Sequence, residues 1–320
     1  ILDGQKPDRY AASFWRHFFH REHNARDTAE AMLDFQNQFK WDFMKINPRA
    51  DYHVEGWGFE HEFSREEFVK HTKLRFPVTS VEDWAKIEPL PLDTPALDEH
   101  LKVVSIIRRR VGRDLPVFMT VFSPLAIAGR MVEDRQMLAD QIREYPDKVL
   151  PAIEAITQTF ETFVTELRNA GADGLFYATT QWASSDMTSW EDYQKLGVPF
   201  DQRVIRAAGQ DALNLFHVCA ANNYLDELAP LDYHSRLYNW DSEDPTNRSL
   251  DRSLDLLPGK VLIGGVDHNG WLLHSSPEEI TCQIDRLKAR FDPSRIIIGP
   301  GCAIPPEVPI ENLTAIRERL

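Results

Sequence analysis

Three residues of this sequence have the types and spacing to hold a metal ion: His217, Cys219 and Cys302. Residues i and i+2 of an extended chain point to the same side. An imidazole at 217 and a thiolate at 219 therefore converge if His217-Val218-Cys219 ends a strand. Two thiolates and one imidazole suit Zn²⁺, with Zn–S near ~2.3 Å and Zn–N near ~2.0–2.1 Å, and they leave a fourth position open. Cysteine is among the most often buried residues, so H-x-C gains weight only if the fold brings Cys302 opposite it. Cys282 has the contrary setting, between Ile280 and Ile284 in a helical pattern, and reads as a structural thiol.

The elements that must position these residues alternate between short β-rich runs and longer helical patterns. The expected strands are Ala11–Arg16, Phe43–Asn47, Pro116–Phe122, Gly174–Thr180, Leu213–Cys219, His234–Trp240, Lys260–Val266 and Arg295–Gly299. Several are nearly continuous apolar runs, as expected of parallel strands covered on both faces. Between them, Leu97, Leu101, Val104, Ile107 and Val111 line one helical face. Val149, Ile153, Ile156, Phe160, Phe163 and Leu167 line another, and Ser276-Pro277-Glu278-Glu279 is a helix start. Residues 55–93 read as an insertion after the second strand. Eight strands separated by helices, with no linker, predict one α/β domain over residues 1–320, a single (β/α)8 TIM barrel.

Active sites of such barrels lie at the C-terminal strand ends. Asn47, Ser123, Tyr177, His217, Cys219, Asn239, Asp241, Asp267, His268 and Cys302 all fall there. The fifth and eighth strands face each other across the mouth, which lets Cys302 join His217 and Cys219. Asp241 and Glu243 are candidates for a fourth ligand, alongside water, although carboxylates in a polar loop are more often simply solvated. Asp267 and His268 are candidates for orienting a ligand or binding substrate, with a turn role equally open for Asp267. Tyr177 is a candidate for lining the pocket. Trp182 and Trp190 either wall the mouth or pack.

Composition narrows the partners. A net charge of −14 argues against sequence-independent binding to nucleic acid or anionic lipid. Arg108–Arg110 reads as a solvated face of a helix. No stretch approaches the length of a membrane span, and Ile1–Tyr10 is polar and charged, unlike a signal peptide. Three cysteines in 320 residues are no disulfide framework, so the expected address is cytoplasmic, with thiols reduced. No GxGxxG or P-loop segment follows the first strands.

The segments GGVDHNGWLLHSSPEEI at 264–280 and IIIGPGCAIPPEVPIENL at 296–313 resemble the uroporphyrinogen decarboxylase superfamily. The opening LDGQKPDRY, PVFMTVFSPLAIAG, the central GADGLFYAT and SWEDYQKLGVPFDQRVI agree with it in order along the chain. The resemblance implies a (β/α)8 barrel and two possible chemistries. Decarboxylases of this superfamily are cofactor-free, with an RQAGR-type segment near the N-terminus and a histidine after the last strand. Here the first region reads Ser13-Phe-Trp-Arg-His-Phe-Phe-His20, and Cys302 takes the place of the histidine.

The other branch is that of zinc-dependent corrinoid methyltransferases, whose signature is H-x-C and, about eighty residues later, C. His217, Cys219 and Cys302 match it, with 82 positions between the cysteines. This resemblance implies a Zn²⁺ cofactor, a corrinoid donor on a partner protein or free, and a small-molecule acceptor, a thiol whose deprotonation the metal favours. A metal-free decarboxylase and a non-catalytic corrinoid- or ligand-binding barrel are the alternatives.

Overall fold

The computed structural model describes residues 6–320; the first part of the LDGQKPDRY segment lies outside them. Eight parallel strands form one sheet: β1 (Ala11–Ala12), β2 (Met44–Ile46), β3 (Val117–Phe122), β4 (Gly174–Ala178), β5 (Leu215–His217), β6 (Leu237–Asn239), β7 (Val261–Val266) and β8 (Ile296–Pro300). Their order is β1-β8-β7-β6-β5-β4-β3-β2, so from β2 onward each strand neighbours the next in sequence, and β1 and β2 stand at the two ends of the ladder. The Asp42 N–H donates to Ala12 O (2.9 Å), the Ala12 N–H to Asp42 Oδ2 (2.8 Å), and Ser13 Oγ to Phe43 O (2.8 Å). These bonds close the barrel.

Alternation along each strand sorts the side chains into two layers. Phe118, Phe176, Ala178, Leu215, Leu237, Val261, Ile263 and Ile297 form the inner cluster, with Trp15 and Phe43. Tyr177, Phe216 and Tyr238 point the other way, into the larger cluster shared with the helices. That outer layer includes Pro95–Val111 and Pro146–Ala170, where the apolar spacing predicts them. The helix Pro277–Arg290 begins at Ser276, whose Oγ accepts from the Glu279 N–H while Glu279 Oε2 accepts from the Ser276 N–H, a capping box. Cys282 lies on this helix and is exposed.

Strand edges depart from expectation for local reasons. The sixth strand starts three residues later than predicted, because His234 has φ of +48°, incompatible with a strand. The fifth ends at His217, and Cys219 lies just beyond it. The insertion contains an antiparallel hairpin, Glu60–Glu62 with Thr72–Arg75, and short 3₁₀ turns at Glu55–Trp57 and Val81–Lys86. Arg108 is no solvated side chain. Its Nε donates to Gly171 O (2.8 Å) and its guanidinium pairs with Asp173, tying the helix end to the start of β4. Gly171 caps the preceding helix at φ +112°, with Arg108 against its Cα, a place for glycine alone. Among the described residues no helix is long and apolar enough to cross a membrane.

The seam depends on Asp42, which also receives the Arg9 guanidinium at 2.6 and 3.0 Å. Asp42→Ala is expected to lower stability by about 2–3 kcal/mol, since it strands both a backbone donor and a cation. A shift of the urea midpoint below what about 0.5 kcal/mol produces would show that the seam does not depend on this side chain.

Candidate metal centre

The inward register of β5 places Leu215 and His217 inside the barrel, and the same parity carries on to Cys219. The chain then turns sharply. Ala220 sits at φ +75° and Asn222 at +48°, left-handed conformations that cost a non-glycine residue roughly 1–2 kcal/mol. Side chains hold the turn: Asn247 Nδ2 donates to Ala220 O (2.9 Å), and Asn223 Nδ2 reaches Val218 O (3.3 Å) and Ala220 O (3.4 Å). Strain held in this way directly after a candidate ligand is common where geometry serves function.

Cys302 comes from the turn after β8, and the structure brings it to the other two. The ligand atoms of His217, Cys219 and Cys302 all lie within 4.8 Å of one another. His217 is buried, and neither ring nitrogen has a hydrogen-bond partner. Buried imidazoles are normally satisfied, so a ring with two orphan nitrogens beside two thiols fits a metal ligand. The two thiols bias one another's ionisation. The neighbouring Cys219, and then the imidazoles of His217 and His268, against the opposing effect of burial, hold Cys302 well below the usual thiol range. Cys302 in turn, with burial, pushes Cys219 up. A thiolate already favoured in the free protein suits a cation-binding set.

Two more of the expected residues stand beside this triad. His268 is 5% exposed, with Nδ1 unpartnered and 4.0 Å from Asp241 Oδ2. Asp241 is packed so tightly on the turn before Cys302 that a Cβ at Gly301 would come within 2.6 Å of its Cα and 2.7 Å of Oδ1. Gly301 is therefore what lets the carboxylate approach. Burial pushes the Asp241 carboxyl up, against the pull of His268.

The other candidates are placed elsewhere. Tyr177 does not line the pocket: Phe176 and Ala178 take the inward positions of β4, so Tyr177 points to the helices. There it donates to Asp201 Oδ1 (3.1 Å), while Tyr193 and Tyr233 donate to Oδ2 (2.6 and 3.2 Å). Asp267 is engaged in the turn after β7, where Oδ1 accepts the Gly270 N–H at 2.7 Å. Glu243 turns away from the barrel into a cleft with Asp251, Arg286 and Arg290. Ser123 caps the helix Pro124–Met131. Trp182 is fully buried, and Trp190 packs on Tyr193 and Tyr224, so both pack rather than wall the mouth.

Asn239 has a bridging role. It faces His217 in register, and its Nδ2 donates to Ile263 O (2.9 Å) and Pro300 O (3.0 Å). Sequence reasoning missed Lys45. This residue of β2 is 9% exposed, bonds through Nζ to Asn47 Oδ1, and lies 4.5 Å from the Phe176 ring centroid. Burial pulls its ammonium down to about 7, against the opposing charges of Cys302, Cys219 and Glu22. Its signal was a lone lysine in the apolar run Phe43-Met-Lys-Ile46.

Comparison with known proteins agrees with this geometry. Residues 9–320 match the family described as uroporphyrinogen decarboxylase (URO-D). The chain belongs to that family. Among its relatives is a methylcobamide:CoM methyltransferase, MtbA, of Methanosarcina mazei, 22% identical over 253 residues, covering 77% of this chain and 69% of that protein. A uroporphyrinogen decarboxylase of Syntrophotalea carbinolica is 27% identical over 238 residues, covering 71% and 66%. A solved methyltransferase from Methanosarcina mazei superposes with a TM-score of 0.78 at 18% identity over 99% of this chain and 95% of that one, showing the same fold.

For this URO-D family member, protein purified without chelators is expected to contain about one equivalent of zinc by elemental analysis. His217→Ala and Cys302→Ser should each lose it. Tyr177→Phe should keep the zinc and lose about 1 kcal/mol of stability from the missing bond to Asp201. Zinc that survives both ligand substitutions would rule out this centre.

Proposed function

We propose that this chain is a zinc-dependent methyltransferase that moves a methyl group between a corrinoid, free or carried by a partner protein, and a small-molecule thiol. The observation that carries this reading is the donor set itself: two sulfurs and one unpartnered imidazole at the C-terminal mouth of the barrel. A decarboxylase relying on arginines to pair substrate carboxylates has no need of such a set. The named activity of the methylcobamide:CoM methyltransferase relatives supports it as well. The Syntrophotalea carbinolica relative keeps metal-free decarboxylation as the competing reading.

His217, Cys219 and Cys302 would hold the metal. When bound, zinc supplies the Lewis acidity that keeps an acceptor thiol deprotonated near neutral pH. The chain's own residues prepare the rest. Cys219 and Cys302 surround the acceptor position with negative charge, which favours a nucleophilic sulfur over a hard oxygen. Asp241, kept close by Gly301, is the candidate for the fourth place in the resting protein, and His268 Nδ1 stands 4.0 Å from its carboxylate. The inner cluster of Phe118, Phe176, Leu215 and Ile263 closes the floor beneath and excludes water. The reading takes the barrel as one domain working in the cytoplasm, where its three free cysteines stay reduced.

The test is methyl transfer from methylcobalamin to a thiol, followed by loss of the methylcobalamin absorbance. Zinc-loaded protein is expected to consume methylcobalamin only when thiol is present, and Cys219→Ser to be at least about 100-fold slower. Equal rates in wild type and Cys219→Ser, or turnover of a carboxylated substrate by zinc-free protein, would favour the decarboxylase instead.

A further inference from the structure

We propose that Lys73, Arg130 and Arg135 form a phosphate-binding subsite at the β2–β3 rim of the barrel mouth, which takes the phosphodiester in the nucleotide loop of a free corrinoid donor. This rests on the methyl-transfer reading above and deepens it. The three cations border one cleft of about 500 Å³, together with Phe76, Glu133 and Asp134. Each comes from a different element: Lys73 from the hairpin of the insertion, Arg130 from the helix Pro124–Met131, and Arg135 from the start of the helix Arg135–Glu144. Three elements thus bring positive groups together in a chain whose net charge is −14.

What these groups lack is acceptors. One buried carboxylate serves two of them: Asp51 Oδ1 lies 3.6 Å from Lys73 Nζ and 3.8 Å from an Arg130 guanidinium nitrogen, and it accepts no hydrogen bond. Among the described residues Arg135 has no ion-pair partner. Asp134 is committed to its own helix, where Oδ1 accepts the Gln136 N–H at 2.9 Å, and Glu133 pairs with none of the three. His53 adds no charge: it is 1% exposed with both ring nitrogens unpartnered, and burial, then Arg130, His100 and Lys73, keep it neutral. The cations also press on one another. Burial and then Arg130 lower Arg135, and burial and then both arginines lower Lys73, in each case against Asp51. Two guanidinium forks and an ammonium are donors without acceptors of their own. A phosphate group supplies several oxygens at once, and its charge relieves the repulsion.

Position decides whose phosphate it is. The cleft belongs to the loops after β2 and β3, whereas the metal ligands come from β5 and the turn after β8. Asp51 leads back to the mouth through His53, whose ring centroid is 4.4 Å from that of Phe122, the last residue of β3. Phe122 packs in turn against the inner cluster. A ligand that reacts at the triad and leaves its phosphate among Lys73, Arg130 and Arg135 must therefore bridge the mouth. A short thiol is too small for that. A methylated cobalamin is not: its methyl group sits on the central cobalt, and its one phosphodiester hangs from the edge of the macrocycle on the nucleotide loop.

The experiment compares methylcobalamin with methylcobinamide, which keeps the corrin ring and the cobalt–methyl bond but has no nucleotide loop, as donors to 2-mercaptoethanol on zinc-loaded protein. The intrinsic reactivities of the two donors are the same for every variant, so the readout is the change in their kcat/KM ratio. Arg130→Gln and Arg135→Gln are each expected to lower the preference for methylcobalamin by about 10-fold, with Arg135→Lys partly restoring it. Arg135 is exposed, so Arg135→Gln should fold even if Arg130→Gln does not. In parallel, calorimetric titrations without thiol, with each corrinoid and with inorganic phosphate, read binding apart from turnover. A donor ratio that is the same in wild type and Arg135→Gln overturns the proposal and leaves the methyl-transfer reading standing. The same ratio together with binding of inorganic phosphate also overturns it, and gives the cleft to a phosphorylated ligand other than the corrinoid. Tighter binding of methylcobalamin than of methylcobinamide, lost in Arg135→Gln, in a protein that methylates no thiol, supports the subsite and removes methyl transfer.

Discussion

The Asn239 side chain is the interaction on which the site depends. Its side-chain amide donates to carbonyls on the neighbouring strand β7 and on the last residue of β8, the strand beyond. Cys302 follows that residue by two positions. His217 pairs with Asn239 across the β5–β6 ladder. One buried amide therefore ties the strand that presents the imidazole to the strand that presents the second thiol. Without it, the ends of β5 and β8 would be related only through the general curvature of the sheet. Ligand atoms gathered within 4.8 Å need a firmer constraint than that.

Around this tie the mouth divides into two chemical halves. On the β5–β8 side stand soft sulfur ligands, an orphan imidazole and a half-buried carboxylate, a set that attracts a cation. On the β1–β2 side stand Trp15, Lys45 and Asn47; Lys45 donates to Asn47 Oδ1, while Trp15 Nε1 and Asn47 Nδ2 have no acceptor. Phe176, from β4, touches both halves. Opposite preferences at so short a separation would attract and screen one another in water. Behind apolar walls they persist, and the charge of the thiolates opposes the effect of burial on Lys45.

Much of this was legible in the residues and some was not. The barrel was readable because buried parallel strands and amphipathic helices have different periods, and the triad because H-x-C at a strand end has a fixed parity. Tyr177 shows where that argument must be carried further. It sits at a strand end, but in a strand whose inward positions are 176 and 178, and parity can be assigned only once the neighbouring strands set the register. Glu243 and Asp267 fail for another reason. Both are polar residues in loops, where the backbone's own demand for hydrogen bonds competes with chemistry, and the turn claims Asp267. Lys45 was overlooked because a charged residue in an apolar run usually marks an edge or an exposed face. A buried charge is visible only when its surroundings are.

The exchange of the superfamily histidine for Cys302 has its meaning in this arrangement. An imidazole at that position can donate or accept a proton, which serves a reaction whose main event is protonation of carbon. A thiol beside Cys219 and His217 is instead driven to ionise, and a cation shared among the three would stabilise that charge further. A carboxylated macrocycle would bring its negative charges against two sulfurs that repel them.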